Sequence, residues 1–152
     1  MENYAYYQSP LGILKIGYRG QYITHIKIVP VSEPDHCPFL LSDLAAAQSL
    51  EYLQGSRTGF DFPISPAGTP FQISVWNALT QIPYGEVRTY GQIAAAIRNP
   101  GAARAVGMAC NRNPLWIVIP CHRVIGSSKN LTGYAGGLPM KQTLLELEQQ
   151  NR

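Results

Sequence analysis

The chain opens on short runs of Tyr and Ile broken by turn residues. Tyr4 to Tyr7, Ile13 to Tyr18 and Tyr22 to Ile28 are β-prone, and Ser9-Pro10-Leu11-Gly12 and Arg19-Gly20-Gln21 separate them. Such runs joined by turn chemistry predict a small antiparallel sheet. Residues Val29 to Pro38 hold three prolines and read as a loop. Ser42-Asp43 then open a helix with Leu44, Ala47, Leu50 and Leu53 as its inward face, and Gly55 closes it.

From residue 63 the pattern changes. Pro63, Pro66, Gly68 and Pro70 mark a linker over residues 63–69. Thr69-Pro70-Phe71-Gln72 is a helix start, with a Thr cap, a Pro in the first turn and a Gln three residues past the cap. Phe71, Val75, Ala78, Leu79 and Ile82 share one face of that helix. The same cap recurs at Thr89-Tyr90-Gly91-Gln92, opening a short helix with Ile93, Ala94 and Ile97 inward. Arg98-Asn99-Pro100-Gly101 is a turn, and a third helix follows from Ala102 to Asn111. Helix, tight turn, helix is the outline of a helix-turn-helix unit, although helical hairpins of this outline also occur in proteins that never touch DNA. Ile117-Val118-Ile119 reads as a short buried strand stopped by Pro120. A last helix is predicted from Pro139 to Gln149, with Glu148 in register with Leu144 and Leu145 and Glu146 turned to solvent.

The expected fold class is therefore α+β. Residues 1–62 form an N-terminal α/β lobe with a small antiparallel sheet and a helix. Residues 70–152 form a mostly helical C-terminal lobe with the helix-turn-helix.

Composition narrows the function classes. Hydrophobic residues make up 45% of the chain and charged residues 14%, which describes a globular protein and excludes a disordered one. A net charge of +3 permits a polyanionic partner without demanding one. Cys37, Cys110 and Cys121 are odd in number and lack CxxC spacing, so neither a disulfide framework nor a structural zinc cage is expected. His25, His36 and Cys37 fit no standard ligand spacing, so no metal is expected. With neither a signal peptide pattern nor a membrane-length apolar run, the expected home is cytoplasmic, or nuclear in a eukaryote.

The candidate chemistry lies at Pro120-Cys121-His122-Arg123-Val124. Cysteine reacts as its thiolate, and a basic or cationic neighbour lowers its pKa, so a thiol followed by an imidazole and a guanidinium is a candidate nucleophile. A buried structural cysteine is the bland alternative. An inward Glu148 needs a partner, and His122 is the candidate. The third helix carries almost no long polar side chains. Its small residues suit close approach to a minor groove or to a core, and Arg104 is poorly explained by core packing. A cysteine hydrolase with Glu148 as third member and a plain helix-turn-helix regulator remain open on these residues alone.

Taken together, residues from Thr69 to Glu148 resemble the O6-alkylguanine-DNA alkyltransferases, the methylated-DNA–protein-cysteine methyltransferases. The matching pieces are Pro120-Cys121-His122-Arg123-Val124, Arg104-Ala105-Val106-Gly107, Asn113-Pro114, Gly133-Tyr134, Gly136-Gly137-Leu138, and Lys141 with Leu144-Leu145 and Glu148. The resemblance implies direct-reversal DNA repair, by single, irreversible transfer of an alkyl group from O6-alkylguanine, with O4-alkylthymine as a second candidate substrate, to Cys121. It implies that His122 takes the thiol proton through a water, that Glu148 orients His122, and that Asn113 ties the site's turn. Tyr90 and the Ala135 amide would bond the O6 oxygen, and Trp116, Val124, Tyr134 and Gly136 would complete the pocket with Ala135. A minor-groove surface is implied for Ala102, Ala103, Ala105, Gly107, Tyr90, Arg112 and Arg123, with Arg104 replacing the flipped base. The implied partner is double-stranded DNA containing O6-alkylguanine, bound by a monomer with no cofactor and no membrane.

Overall fold

The structure of the chain is a computed structural model that describes residues 1–128, 134 and 136–152. It divides into two compact units, Met1–Ala67 with Pro114–Trp116, and Gly68–Asn113 with Ile117–Arg152. The fold is α+β.

In the first unit, β1 (Asn3–Ser9), β2 (Gly12–Arg19) and β3 (Tyr22–Val29) form an antiparallel meander in the order β1-β2-β3. Tight turns at Pro10-Leu11 and Gly20-Gln21 fix the register, pairing Ala5 with Ile16 and Ile16 with Ile26. Because side chains alternate across a strand, Leu14, Ile16 and Tyr18 all point to one buried face. Burying each such Leu or Ile is worth about 1.5–3 kcal/mol. Both sheet edges are covered: Cys37 N donates to Tyr4 O at 2.8 Å on β1, and Ile26 N to Pro114 O at 2.9 Å on β3.

Helix α1 (Leu40–Leu53) overturns the face expected for it. Its buried residues are Ser42, Ala45, Ala46, Gln48, Ser49 and Tyr52, whereas Leu44 is 44% exposed. The helix begins earlier than Ser42-Asp43 suggests. Ser42 lies inside the first turn, and its hydroxyl accepts from Phe39 N at 2.8 Å. That shift turns a stripe of small side chains inward, with Tyr52 filling the end of the interface.

In the second unit the caps form as the spacing predicts. Thr69 Oγ1 accepts from Gln72 N at 3.1 Å and Gln72 Oε1 from Thr69 N at 3.0 Å, opening α2 (Pro70–Leu79). Thr89 and Gln92 repeat the exchange at 3.0 and 2.9 Å, opening α3 (Tyr90–Ala96). Arg98, at φ 61°, makes the left-handed turn towards α4 (Ala103–Asn111). Val75, Trp76 and Leu79 of α2 are buried, and Trp76 Nε1 donates to Ala109 O of α4 at 2.9 Å. Helix α5 (Leu138–Gln150) buries Lys141, Leu144 and Glu148 along one stripe and leaves Glu146 exposed.

The expected strand at Ile117-Val118-Ile119 does not form. These residues make turns, and Ile117 has φ 65°, a left-handed conformation that a β-branched residue adopts only under strain. The Asn113 side chain, and not a neighbouring strand, donates to the Ile119 carbonyl at 2.8 Å. The strand of this region comes later: β5 (Val124–Ile125) pairs in parallel with β4 (Arg88–Thr89).

Candidate active site

Cys121 opens a 3-10 turn, Cys121–Arg123, which Arg123 N closes onto Pro120 O at 3.0 Å. Asn113 is buried just past the end of α4, and its Nδ2 reaches back to both Ile119 O at 2.8 Å and Cys121 Sγ at 3.1 Å. One amide thus holds the turn and the sulfur together.

The sequence led to an expectation that His122 and Arg123 would lower the thiol's pKa. The structure turns both onto Glu148 instead. Burial, complete at 0% exposure, pushes the Cys121 thiol up to about 11, against the Asn113 hydrogen bond and the Lys141 charge, which pull it down. Burial raises Cys110 further, with the Lys141 charge opposing it. Cys121 is therefore the more readily ionised of the two buried thiols.

Glu148, 1% exposed, is the hub of the site. His122 Nε2 lies 2.6 Å from Oε2. Arg123 grips the same carboxylate with Nε to Oε1 at 2.8 Å and Nη2 to Oε2 at 2.9 Å, and gives Nη1 to Ile82 O at 2.7 Å. Gly85 N also donates to Oε1 at 3.1 Å, from a backbone at φ 82° that glycine adopts without strain. A buried carboxylate needs this many donors to offset its desolvation. A carboxylate only accepts, so Nε2 carries the hydrogen and the lone pair of the neutral ring lies on Nδ1. Burial lowers the His122 pKa, opposed by Glu148, which favours the neutral ring that can accept a proton.

Arg123, named with the DNA-contacting residues from the sequence, is 7% exposed and committed to this cluster. Lys141 received no role from the sequence, yet it is fully buried and its Nζ donates to Val124 O at 2.5 Å. Its sequence signal was its place on the Leu144–Glu148 stripe of α5. Burial lowers its pKa, and the nearby thiols act in the opposite sense.

The outer face of the helix-turn-helix is different in character. Tyr90, Gly91, Arg104, Gly107, Met108 and Asn111 help line an open groove of about 540 Å³. Arg104 and Arg112 are exposed, and Ala102, Ala103, Ala105 and Gly107 are half-buried. A Cβ added at Gly107 would meet nothing nearer than the Tyr90 ring at 3.7 Å, an ordinary contact, so the fold itself does not demand glycine there. Tyr134 is buried and Gly136 half-buried. Trp116 belongs to the first unit, where its amide donates to Ile26 O at 2.9 Å. Ala135 and Gly133 lie outside the described residues.

A family model described as "6-O-methylguanine DNA methyltransferase, DNA binding domain" matches residues 70–150. The chain belongs to the methylated-DNA–protein-cysteine methyltransferase family. It is 46% identical to the methylated-DNA–protein-cysteine methyltransferase of Methanosarcina acetivorans, over 95% of this chain and 97% of that one. It is similar to the crystal structure of the Mycobacterium tuberculosis O6-methylguanine methyltransferase, with a TM-score of 0.89, 44% identity, and coverage of 100% of this chain and 95% of that one. The structure of Mycobacterium tuberculosis OGT in complex with DNA gives a TM-score of 0.90 at 44% identity, covering 98% of this chain and 94% of that one.

Proposed function

We propose that this chain repairs DNA by direct reversal, moving the alkyl group of O6-alkylguanine in duplex DNA onto Cys121. The new bond joins Cys121 Sγ to the alkyl carbon, and the carbon–O6 bond breaks. The thiol proton passes through a water to His122 Nδ1, and the departing guanine regains a proton. Glu148 supports the reading: its carboxylate fixes the tautomer of His122 and stabilises the imidazolium as it forms. Arg123 acts inside the protein by holding Glu148 in place.

A guanine stacked in a duplex cannot present its O6 group to a buried sulfur, so the nucleotide must leave the stack. Ala102, Ala103, Ala105 and Gly107 allow α4 to approach the minor groove closely, and Arg104 occupies the vacated place in the stack. Tyr90, at the start of α3 in the same groove, donates to the O6 oxygen. Arg112 neutralises a phosphate. A thioether is inert to hydrolysis, so each molecule reacts once.

The observation that carries the reading is the buried Cys121, held at the sulfur by Asn113 and followed directly by the His122–Glu148 pair. No helix among the described residues is long and apolar enough to cross a membrane. The free state of Cys37, Cys110 and Cys121 suits a cytoplasmic setting, where the protein works as a monomer. Single-turnover reaction with a duplex carrying one O6-methylguanine, followed by peptide mapping, tests the proposal. Continued turnover would point to a hydrolase.

A further inference from the structure

Met108 has no part in the chemistry above and none in the core. It is 66% exposed, whereas Val106, Ala109 and Cys110 on the opposite face of α4 are at most 2% exposed. It stands four residues after Arg104 and three before Asn111, so the three side chains share one face. All three line the same open groove beside Gly107 and Tyr90. Nothing in the fold explains a long thioether chain left in solvent at the centre of this face.

The surroundings indicate the chemistry of the occupant. Between Glu86 and Glu146 the chain has no acidic residue, while Arg98, Arg104 and Arg112 are exposed on the helix-turn-helix segment. Such a surface fits a polyanion, and a single apolar side chain within it needs an apolar strip on that polyanion. The minor groove of duplex DNA offers one in the carbon edges of its deoxyriboses, flanked by phosphates. A thioether is flexible and polarisable and moulds to an irregular apolar surface.

Building on the DNA-repair reading, we propose that Met108 is a second minor-groove residue, packing beside Arg104 on the deoxyribose edges of the duplex. A contact to sugar reads no base donor or acceptor, so it adds affinity without sequence preference, as repair of lesions in any context requires.

Two measurements on the full chain test this. The first is duplex affinity as a function of salt for the wild type and Met108→Ala, a substitution that improves helix propensity at an exposed site and leaves the fold intact. Losing part of a buried Met side chain should weaken duplex binding by roughly five- to tenfold at every salt concentration. The slope of log affinity against log salt should not change, because no phosphate contact is removed. The second measurement is oxidation by dilute peroxide, read by peptide mass. Saturating duplex should slow oxidation of Met108 several-fold and leave Met1, 97% exposed, unaffected as the internal control. Wild-type affinity in Met108→Ala, an altered salt slope, or equal oxidation of Met108 with and without duplex would each overturn the inference while leaving the repair reading intact. A wild-type chain with no duplex affinity would overturn both.

Discussion

The side-chain amide of Asn113 donates to the Cys121 sulfur at 3.1 Å and to the Ile119 carbonyl at 2.8 Å. A donor on sulfur favours the thiolate, so it works against the burial that raises this thiol to about 11. Asn113→Ala should shift the pH midpoint of Cys121 alkylation by a small electrophile upward. It should also remove one of the two donors on the buried Ile119 carbonyl, leaving Cys121 N at 2.8 Å, at a cost of about 0.5–1.5 kcal/mol in urea unfolding. An unmoved midpoint in a folded variant would leave Asn113 as a tie for the turn alone.

Glu148 connects the imidazole to Arg123, whose Nε and Nη2 clamp its two carboxylate oxygens. Its charge raises the His122 pKa against burial, so removing that charge lowers the pKa further and weakens the base. Glu148→Gln should slow alkyl transfer about a hundredfold or more. It should also destabilise the fold by about 3–5 kcal/mol, because Arg123 is left buried beside a neutral group. The linkage has a definite sign. With the folded His122 pKa below its unfolded value of 6.5, the unfolded chain binds more protons below that pH, and the wild type should lose stability as pH falls through it. Transfer at the wild-type rate in folded Glu148→Gln would remove Glu148 from the proton path.

Gly107→Ala separates the needs of the fold from those of the partner. Alanine in a helix interior is favoured over glycine by about 0.5–1 kcal/mol. The nearest atom to the new methyl group would be an ordinary 3.7 Å away, so the variant should melt a few degrees higher. Its duplex affinity should nevertheless fall, because the methyl group holds α4 off the groove. Equal or tighter duplex binding would contradict the close approach of this helix.

How much of this was legible beforehand depends on how local each signal is. The starts of α2 and α3 were legible because a capping exchange such as Thr69 with Gln72 is completed within four residues, whereas α2 stops at Leu79, short of the Ile82 assigned to its face. The inward stripe of Glu148 was legible from its register with Leu144. The face of α1 was not, since packing of Ala45, Ala46 and Ser49 overrode the leucine pattern. The strand expected at Ile117 failed because β-branched composition carries no trace of Asn113 supplying the hydrogen bond instead. Arg123 was misplaced for the same reason: its partner Glu148 lies 25 residues away in sequence, and only the fold joins them.

Arg104 lies on the groove-facing side of α4, so its effect should fall on extrusion more than on chemistry. Unstacking a base costs a few kcal/mol, and a side chain in the vacated space offsets part of that. Arg104→Ala should therefore slow reaction with alkylated duplex far more than reaction with free O6-benzylguanine, at one fixed salt concentration. Equal slowing of both would make Arg104 a support of the pocket.

Cys121, and neither Cys110 nor Cys37, should accept the alkyl group once and keep it. The most direct measurement is the intact mass of the protein, with peptide mapping, after exposure to excess duplex carrying O6-methylguanine. The expected result is one methyl group per chain, on Cys121, and one guanine restored per chain, with no further reaction. Methyl found chiefly on Cys110 or Cys37, or restoration of many guanines by each unmodified chain, would contradict it.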